Sequence, residues 1–221
     1  MPSIAVLGSV NLDIVARVAR LPEPGETVTG AELSRFPGGK GGNQSLAANR
    51  LGAAVGLIAC VGSDAAADEA LALLRAGDVD LARCRVVDDA ATGTALIAVA
   101  KSGEKHIVVA PGANQKRVAS DAAGIVADAL ICQLEVPTTV ITEAAHAFDS
   151  FFCVNLAPAR EIDVKVLQRA DLVVVNETES NWYGASLKAC HGIVATTRGG
   201  GIATLEQDGE LIAEATPPAV S

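Results

Sequence analysis

Short apolar segments recur along the chain, and longer amphipathic segments separate several of them. The apolar runs fall at 4–7, 57–61, 129–132, 151–154, 172–175 and 193–195. Runs that are apolar at every position are typical of strands buried on both faces, as in a parallel sheet. The intervening pattern predicts helices at about 43–52, 65–76, 119–127 and 138–147. This alternation predicts an α/β fold with a doubly wound, mostly parallel sheet and helices on both faces.

A second pattern interrupts that rhythm. Segments 94–100 and 105–110 flank a turn-forming stretch and predict a β-hairpin, and segments 13–19 and 26–36 also have strand character. We expect these pieces to form a small β-sheet that covers the binding edge as a lid. The whole chain, 1–221, is then one α/β domain with lid strands drawn from about 13–36 and 94–110.

Composition narrows the class of protein. Half of the 221 residues are hydrophobic, yet no apolar run reaches the roughly 18 residues that a membrane-spanning helix needs. The five cysteines are odd in number and widely spaced, which favours reduced thiols and a cytoplasmic protein. The net charge of −9 and the 3% aromatic content argue against a nucleic-acid partner. We therefore expect a small-molecule ligand, with no membrane or nucleic-acid partner.

Polar residues follow five of the predicted strands at their carboxyl ends, where α/β sheets bind ligands. Each of them alone has an ordinary explanation as a cap or a solvated side chain. Together they indicate a polar ligand with several hydroxyl groups. These residues are Asn11 and Asp13, Gln133 and Glu135, Asn155, Asn176, Glu177 and Glu179, and Thr196, Thr197 and the glycines at 199, 200 and 201.

A glycine-rich segment, 38–44, precedes the first predicted helix and contains Lys40. Backbone N–H groups at a helix start favour an anion or a polyol oxygen, and a plain turn into an ordinary helix is the alternative explanation of the glycines. A P-loop is excluded because Gly41 follows the lysine where Ser or Thr is required. A dinucleotide-binding protein is a weak alternative, since segment 8–11 lacks the expected glycine fingerprint.

Six motifs occur in order along the chain: Gly8-Ser9-Val10-Asn11-Leu12-Asp13, Leu21-Pro22-Glu23-Pro24-Gly25-Glu26-Thr27, Gly38-Gly39-Lys40-Gly41-Gly42-Asn43-Gln44, Gln133-Leu134-Glu135, Asn155-Leu156-Ala157-Pro158-Ala159 and Asn176-Glu177-Thr178-Glu179. Together they resemble the motifs of the ribokinase-like, PfkB-type carbohydrate kinases, and the resemblance covers essentially the whole chain.

The resemblance implies roles for individual residues. Sugar hydroxyls would be bound by Asn11, Asp13, Gly39, Lys40, Asn43 and Glu135, with Lys40 also close to the transferred phosphoryl group and catalytic. Glu179 would act near Mg²⁺, and the ATP phosphates would be bound by Asn176, Thr196, Gly199 and Gly201.

The implied reaction is transfer of a phosphoryl group from ATP to the primary hydroxyl of a pentose, with D-ribose giving ribose 5-phosphate as the favoured case. Alternatives are another sugar or nucleoside kinase of the family, or a truncated homologue that binds sugar without catalysis. The cofactors implied are ATP and Mg²⁺, with a monovalent cation such as K⁺ in a complete protein. The resemblance also implies a homodimer joined through the lid strands.

Three departures from the family pattern bear on these expectations. The Asp-Thr-x-Gly-Ala-Gly-Asp motif, which carries the general base and the anion hole, would be expected after 217–221 and does not occur in the sequence. Arg198 stands where the family usually has glycine, and segment 181–192 is shorter than the family pattern. We therefore expect the 221 residues alone to be nearly inactive and the C-terminal part of the fold to be missing.

Overall fold

The computed structural model describes residues 1–217, which form two sheets. The strands in chain order are β1 Ser3–Leu7, β2 Asn11–Val18, β3 Glu32–Gly38, β4 Ala54–Gly62, β5 Cys84–Val87, β6 Gly93–Ala100, β7 Lys105–Ala110, β8 Ala129–Gln133, β9 Phe151–Asn155, β10 Leu172–Asn176, β11 Ile193–Thr197, β12 Ala203–Gln207 and β13 Glu210–Ala215. The helices are α1 Lys40–Arg50, α2 Ala65–Ala76, α3 Thr138–Ala147, α4 Val164–Arg169 and α5 Glu177–Tyr183. Three short 3-10 helices cover Gly112–Lys116, Ala119–Ala122 and Gly184–Ala189.

The large sheet has nine strands in the order β13-β12-β11-β10-β9-β8-β1-β4-β5. Strands β11 to β5 in this order are all parallel to their neighbours, and only β12 and β13 are antiparallel. The carboxyl ends of β1, β8, β9, β10 and β11 therefore meet at one edge. This arrangement confirms the predicted fold class and brings the polar strand ends together.

The two faces of the large sheet are packed differently. On one face Leu7 and Leu130 pack against α3 and α4, and on the other Val6 and Leu57 pack against α2. All four side chains are fully buried. Because both faces of the sheet are covered, its strands are apolar at successive positions. The helices lie on both faces, as the apolar runs predicted.

The small sheet has the order β3-β2-β6-β7. Strands β6 and β7 form the predicted antiparallel hairpin, and β2 is parallel to β6 and antiparallel to β3. The chain passes from the large sheet to the small one directly after β1, through Gly8, Ser9 and Val10. The start of β2 is therefore held next to the carboxyl edge of the large sheet.

One predicted element is wrong, and several elements were not predicted. Segment 119–127 holds only the 3-10 helix Ala119–Ala122, because Gly124 takes a left-handed φ of 62° and ends helical geometry. The pattern gave no signal for β5, β12, β13, α4 and α5, which are short or mix apolar with charged residues.

The five cysteines are free thiols, and Cys60, Cys132, Cys153 and Cys190 are buried. Burial raises the pKa of the Cys84 thiol to about 11 and that of Cys153 to about 12, because the thiolate loses its hydration. These thiols therefore stay protonated and unreactive at neutral pH. Across residues 1–217, no helix combines the length and the apolar character needed to cross a membrane.

Candidate active site

The turn after β1 and the start of α1 meet at the carboxyl edge of the large sheet. Gly39 caps α1 with φ 83°, a conformation that favours glycine. The backbone of this turn is tightly packed, since a Cβ on Gly39 would lie 2.7 Å from the Asn11 nitrogen and 2.8 Å from the Ser9 oxygen. The N–H of Gly42 donates to the Ser9 carbonyl at 2.9 Å, which fixes the helix start against the strand end.

Glu135, in the turn that follows β8, is hydrogen-bonded to this helix start. Its Oε2 accepts from the Lys40 N–H at 3.1 Å and from the Ser9 hydroxyl at 2.5 Å. The Lys40 Nζ lies 4.0 Å from the Glu135 Oε1, and both side chains keep some exposure to solvent. A carboxylate at the amino terminus of a helix is stabilised by the backbone dipoles. The structure therefore leaves Oε1 of Glu135 and the ammonium of Lys40 available to a ligand.

Asp13 lies near Glu135 at the same edge of the large sheet, and we call the site between Asp13, Glu135 and Lys40 the cleft. Burial and the nearby charge of Glu135 together raise the pKa of Asp13 above its usual value. Its carboxylate lies against Gly38, where a Cβ would approach Asp13 Oδ1 to 2.3 Å. Asn11 is only 4% exposed and begins the same strand, β2. The side chain of Asn43 is exposed, in the first turn of α1.

The sequence-predicted sugar residues are therefore close together in the structure. They come from the start of β2, the start of α1 and the turn that follows β8: Asn11, Asp13, Gly39, Lys40, Asn43 and Glu135. The cluster offers carboxylate acceptors beside ammonium and amide donors, which is the mixture that a polyol binds to.

The second group of predicted residues lies at the ends of β10 and β11 on the same edge. The Asn176 Oδ1 accepts from the Glu179 N–H at 2.8 Å, and Oε2 of Glu179 accepts from the Asn176 N–H at 2.8 Å. These two residues therefore form the capping box that starts α5. Glu179 is 7% exposed, and its Oε1 accepts no hydrogen bond from residues 1–217.

The segment from 196 to 202 is arranged around its own turn. Thr196 is buried in β11, and it lines a groove of about 750 Å³ together with Ser180 and Arg198. The Arg198 side chain donates to the Ile202 carbonyl at 3.0 Å and to the Thr204 hydroxyl at 3.3 Å. Gly199 and Gly201 lie in the exposed turn between β11 and β12. Arg198 thus closes the turn where the family pattern has glycine.

A magnesium ion would find one carboxylate in this second group. Among the described residues, 1–217, no group of three His, Cys, Asp or Glu side chains could hold a metal. Mg²⁺ is usually held by one or two carboxylates together with substrate phosphates and several waters. A single carboxylate oxygen, Oε1 of Glu179, fits that mode of binding, which needs no metal site built entirely from protein ligands.

Two polar residues of the site were not predicted from the sequence. Ser9 lies inside one of the motifs, but its buried hydroxyl has a role only through Glu135. Asn114, in the 3-10 helix after β7, bonds to Asn11 across 103 positions of sequence. No local pattern marks such a contact.

Comparison with known proteins decides the family. The model of the pfkB family of carbohydrate kinases matches residues 1–219. The chain belongs to the pfkB family. Among curated relatives in this family, ribokinase of Haemophilus influenzae is 37% identical over 186 residues, which cover 80% of this chain and 61% of that protein. The chain thus spans about three fifths of the length of this curated relative.

Solved structures of two ribokinases share the fold. Ribokinase from Thermotoga maritima matches with a TM-score of 0.84 and 26% identity, covering all of this chain and 79% of that one. The structure of Arabidopsis thaliana ribokinase complexed with ribose and ATP matches with a TM-score of 0.81 and 24% identity, covering 98% of this chain and 77% of that one. Both likenesses confirm the ribokinase-like fold.

Proposed function

We propose that this protein is an ATP-dependent sugar kinase that phosphorylates the primary hydroxyl of a pentose, with D-ribose converted to ribose 5-phosphate. The observation that carries the proposal is the cleft at the start of α1, where Asp13, Glu135, Lys40 and Asn11 converge. Two relatives named ribokinase, at 37% and 36% identity, support ribose as the acceptor. Other sugars and nucleosides of the family are the alternative acceptors.

In this proposal the sugar is held by the first group of residues. Asp13 and Glu135 accept hydrogen bonds from hydroxyls, whereas Asn11, Asn43 and the Gly39 backbone region complete the cradle. Lys40 neutralises negative charge on the phosphoryl group while it is transferred. Electrostatic stabilisation of this transition state contributes most of the catalysis in phosphoryl transfer. Because Lys40 is partly exposed beside Glu135, it can reach both the sugar and an incoming phosphate.

The nucleotide is assigned to the second group at the ends of β10 and β11. Asn176, Thr196, Gly199 and Gly201 would bind the ATP phosphates, and Glu179 would hold Mg²⁺. When bound, Mg²⁺ would neutralise charge on the phosphates. A monovalent cation is included in the proposal for the complete protein, without a residue of this chain assigned to it.

The general base is not assigned to any of the 221 residues, and neither is the anion hole. Loss of a general base costs roughly 10² to 10⁴ in rate, so the chain alone should bind sugar with little turnover. We propose that a C-terminal part beyond these residues completes the active enzyme, which is a cytoplasmic homodimer. The intact mass of the native protein tests this: a mass equal to 22.4 kDa would contradict it and favour a sugar-binding protein without catalysis.

The function is tested by combining calorimetry with a product assay. We expect D-ribose to bind the chain, and we expect the complete protein to release ADP and form ribose 5-phosphate from ribose and Mg·ATP. A panel of D-fructose, D-glucose and adenosine identifies the preferred acceptor. Absence of ADP release from the complete protein with every pentose, hexose and nucleoside would rule out the kinase.

A comparison of ribose with NAD separates sugar binding from dinucleotide binding. Ribose should raise the melting temperature of the protein by mass action, whereas NAD should leave it unchanged. The opposite pattern would favour the dinucleotide-binding alternative.

A further inference from the structure

Asn114 makes three hydrogen bonds at the junction of the two sheets, and it is 1% exposed. It lies in the 3-10 helix Gly112–Lys116, directly after β7. Its Oδ1 accepts from the Val10 N–H at 2.9 Å, and its Nδ2 donates to the Val10 carbonyl at 3.1 Å. The same Nδ2 also donates to Oδ1 of Asn11 at 2.8 Å.

These partners decide the orientation of both side-chain amides. A backbone N–H only donates and a backbone carbonyl only accepts, so the two bonds to Val10 fix which end of Asn114 is oxygen. The second N–H of Asn114 then requires an acceptor, which is the Asn11 oxygen. Asn11 must therefore turn its own NH₂ group away from Asn114.

The NH₂ group of Asn11 is left for a ligand. Among the described residues it has no hydrogen-bond partner, yet it is not among the fully buried polar atoms that lack one. Its strand, β2, also carries Asp13 in the sugar cleft. An acceptor oxygen of a bound molecule would satisfy this donor at low cost.

Gly93 supplies independent evidence that the amide pair is a built feature. A Cβ at Gly93 would lie 2.2 Å from the Asn11 Oδ1 and 2.3 Å from the Asn114 Nδ2. No side chain fits at this position unless the two amides separate. The start of β6 therefore leaves room for the contact.

We propose that Asn114 is a positioning residue that sets the hydrogen-bonding polarity of the sugar cleft. By holding the Asn11 oxygen, it makes Asn11 a donor, so the cleft selects a ligand hydroxyl that accepts at this point. The proposal rests on the proposed function, because the ligand is taken to be a sugar. Asn114 lies outside the six motifs, and the proposal gives it a part in the specificity of sugar binding.

The substitution that tests it is Asn114→Asp, which keeps the size of the side chain and removes its donors. Asn11 is then expected to turn, so that its NH₂ group bonds to the carboxylate and its oxygen faces the cleft. Ribose affinity measured by calorimetry should fall about tenfold or more, since a ligand hydroxyl loses its donor and meets a reversed amide.

A double-mutant cycle separates positioning from a purely structural role. If Asn114 acts through Asn11, then Asn114→Asp should change ribose affinity by less than about twofold in an Asn11→Ala background. Equal losses in both backgrounds would mean that Asn114 only braces Val10, and would overturn the proposal.

A second pair of variants covers the case in which Asn114→Asp folds poorly. Gly93→Ala should weaken ribose binding because it separates the amides, whereas Gly56→Ala, whose Cβ would meet nothing within 4 Å, is the matched control. Equal ribose affinity in the two glycine variants would contradict the proposal.

The side-chain amide resonance of Asn11 gives a readout that needs no ligand. It can be assigned in a ¹⁵N spectrum by its disappearance in Asn11→Ala, and it should shift in Asn114→Asp. An unshifted resonance would overturn the positioning role whether or not ribose binds. Failure of the wild-type chain to bind ribose while the resonance shifts would instead reject the proposed function and leave the amide pairing established.

Discussion

At the scale of single residues, the cleft holds two carboxylates, Asp13 and Glu135, whose negative charges repel each other. Burial of Asp13 and the charge of Glu135 both disfavour the ionised form of Asp13, which raises its pKa. The Ser9 hydroxyl and the Lys40 N–H stabilise Glu135 in compensation. The free protein thus carries an electrostatic cost that a ligand with several hydroxyl donors would offset.

We predict that Asp13→Asn stabilises the free chain at pH 7 and weakens ribose binding. A carboxyl whose pKa is raised on folding binds its proton more tightly in the folded state, so the free energy of unfolding falls as pH rises from below 3.8 through the raised pKa. The variant should lack this decline, as urea unfolding at pH 3.5 and pH 7 would show. Its ribose affinity, by calorimetry, should fall by about 1 to 3 kcal/mol.

The exposed Asp149 provides the control for this substitution. Asp149→Asn should change neither ribose affinity nor the pH dependence that we attribute to Asp13. If Asp13→Asn bound ribose as tightly as the wild type, Asp13 would be removed from the sugar site.

Lys40→Met is predicted to harm phosphoryl transfer more than sugar binding, because its ammonium acts on charge that develops during the transfer. The measurement compares kcat of the complete protein with the ribose affinity. Equal losses in both quantities would show that Lys40 serves binding alone.

At the scale of elements, α1 depends on a glycine that no other residue replaces. Gly39 and Gly52 flank this helix with φ values of 83° and 92°. A side chain at either position would be strained by the positive φ, which lowers the free energy of unfolding by about 1 to 2 kcal/mol. Only at Gly39 would the new Cβ also overlap backbone atoms of Ser9 and Asn11, because the space around Gly52 is open.

We therefore predict different outcomes for Gly39→Ala and Gly52→Ala. Both should lower the free energy of unfolding in urea, and Gly39→Ala should lower it further and abolish measurable ribose binding. Gly52→Ala should keep its ribose affinity. Similar behaviour of the two variants would show that left-handed strain, and not the close approach of β2, is what matters at Gly39.

Helix α5 begins at a capping box made by two residues that we also assign to the nucleotide site. Asn176→Ala should cost about 0.5 to 2 kcal/mol of unfolding free energy through the lost cap, and it should also weaken ATP binding. Asp163 caps α4 in a similar way, through the Lys165 N–H at 2.9 Å. Asp163→Ala should therefore lose stability and retain ATP affinity, and a loss of ATP affinity in both would reduce the Asn176 effect to one of folding.

At the scale of the whole molecule, the small sheet exposes apolar side chains. The strand register places Leu33, Leu96 and Val108 on one face, and each is more than half exposed. An exposed apolar sheet with free edges favours association. This supports the proposed homodimer through the lid strands.

We predict that Val108→Lys converts the dimer to a monomer. Light scattering should report about twice the 22.4 kDa chain mass for the wild type and the single mass for the variant. Val126→Lys, at a more exposed valine outside both sheets, should leave the mass unchanged. A wild-type chain that is monomeric at all accessible concentrations would refute the dimer.

The parallel strands of the large sheet could be predicted from the sequence, whereas their order in the sheet could not. Strands buried on both faces must be apolar at successive positions, so 129–132, 151–154 and 172–175 identified the sheet. The ordered motifs then predicted a shared site for Asn11, Asp13, Lys40 and Glu135, and the fold places these residues near one another. Elements whose pattern mixes charged and apolar residues, such as β12 and β13 at the sheet edge, gave no comparable signal.

Contacts between distant segments depended on the tertiary structure. The bond between Asn114 and Asn11, the raised pKa of Asp13 and the hold of Ser9 on Glu135 each join residues that are far apart in the chain or require burial. The local sequence pattern indicates the backbone conformation that each residue prefers and whether its side chain faces the core or the solvent. Hydrogen-bond direction and desolvation are properties of the packed neighbourhood, which exists only once the two sheets have met.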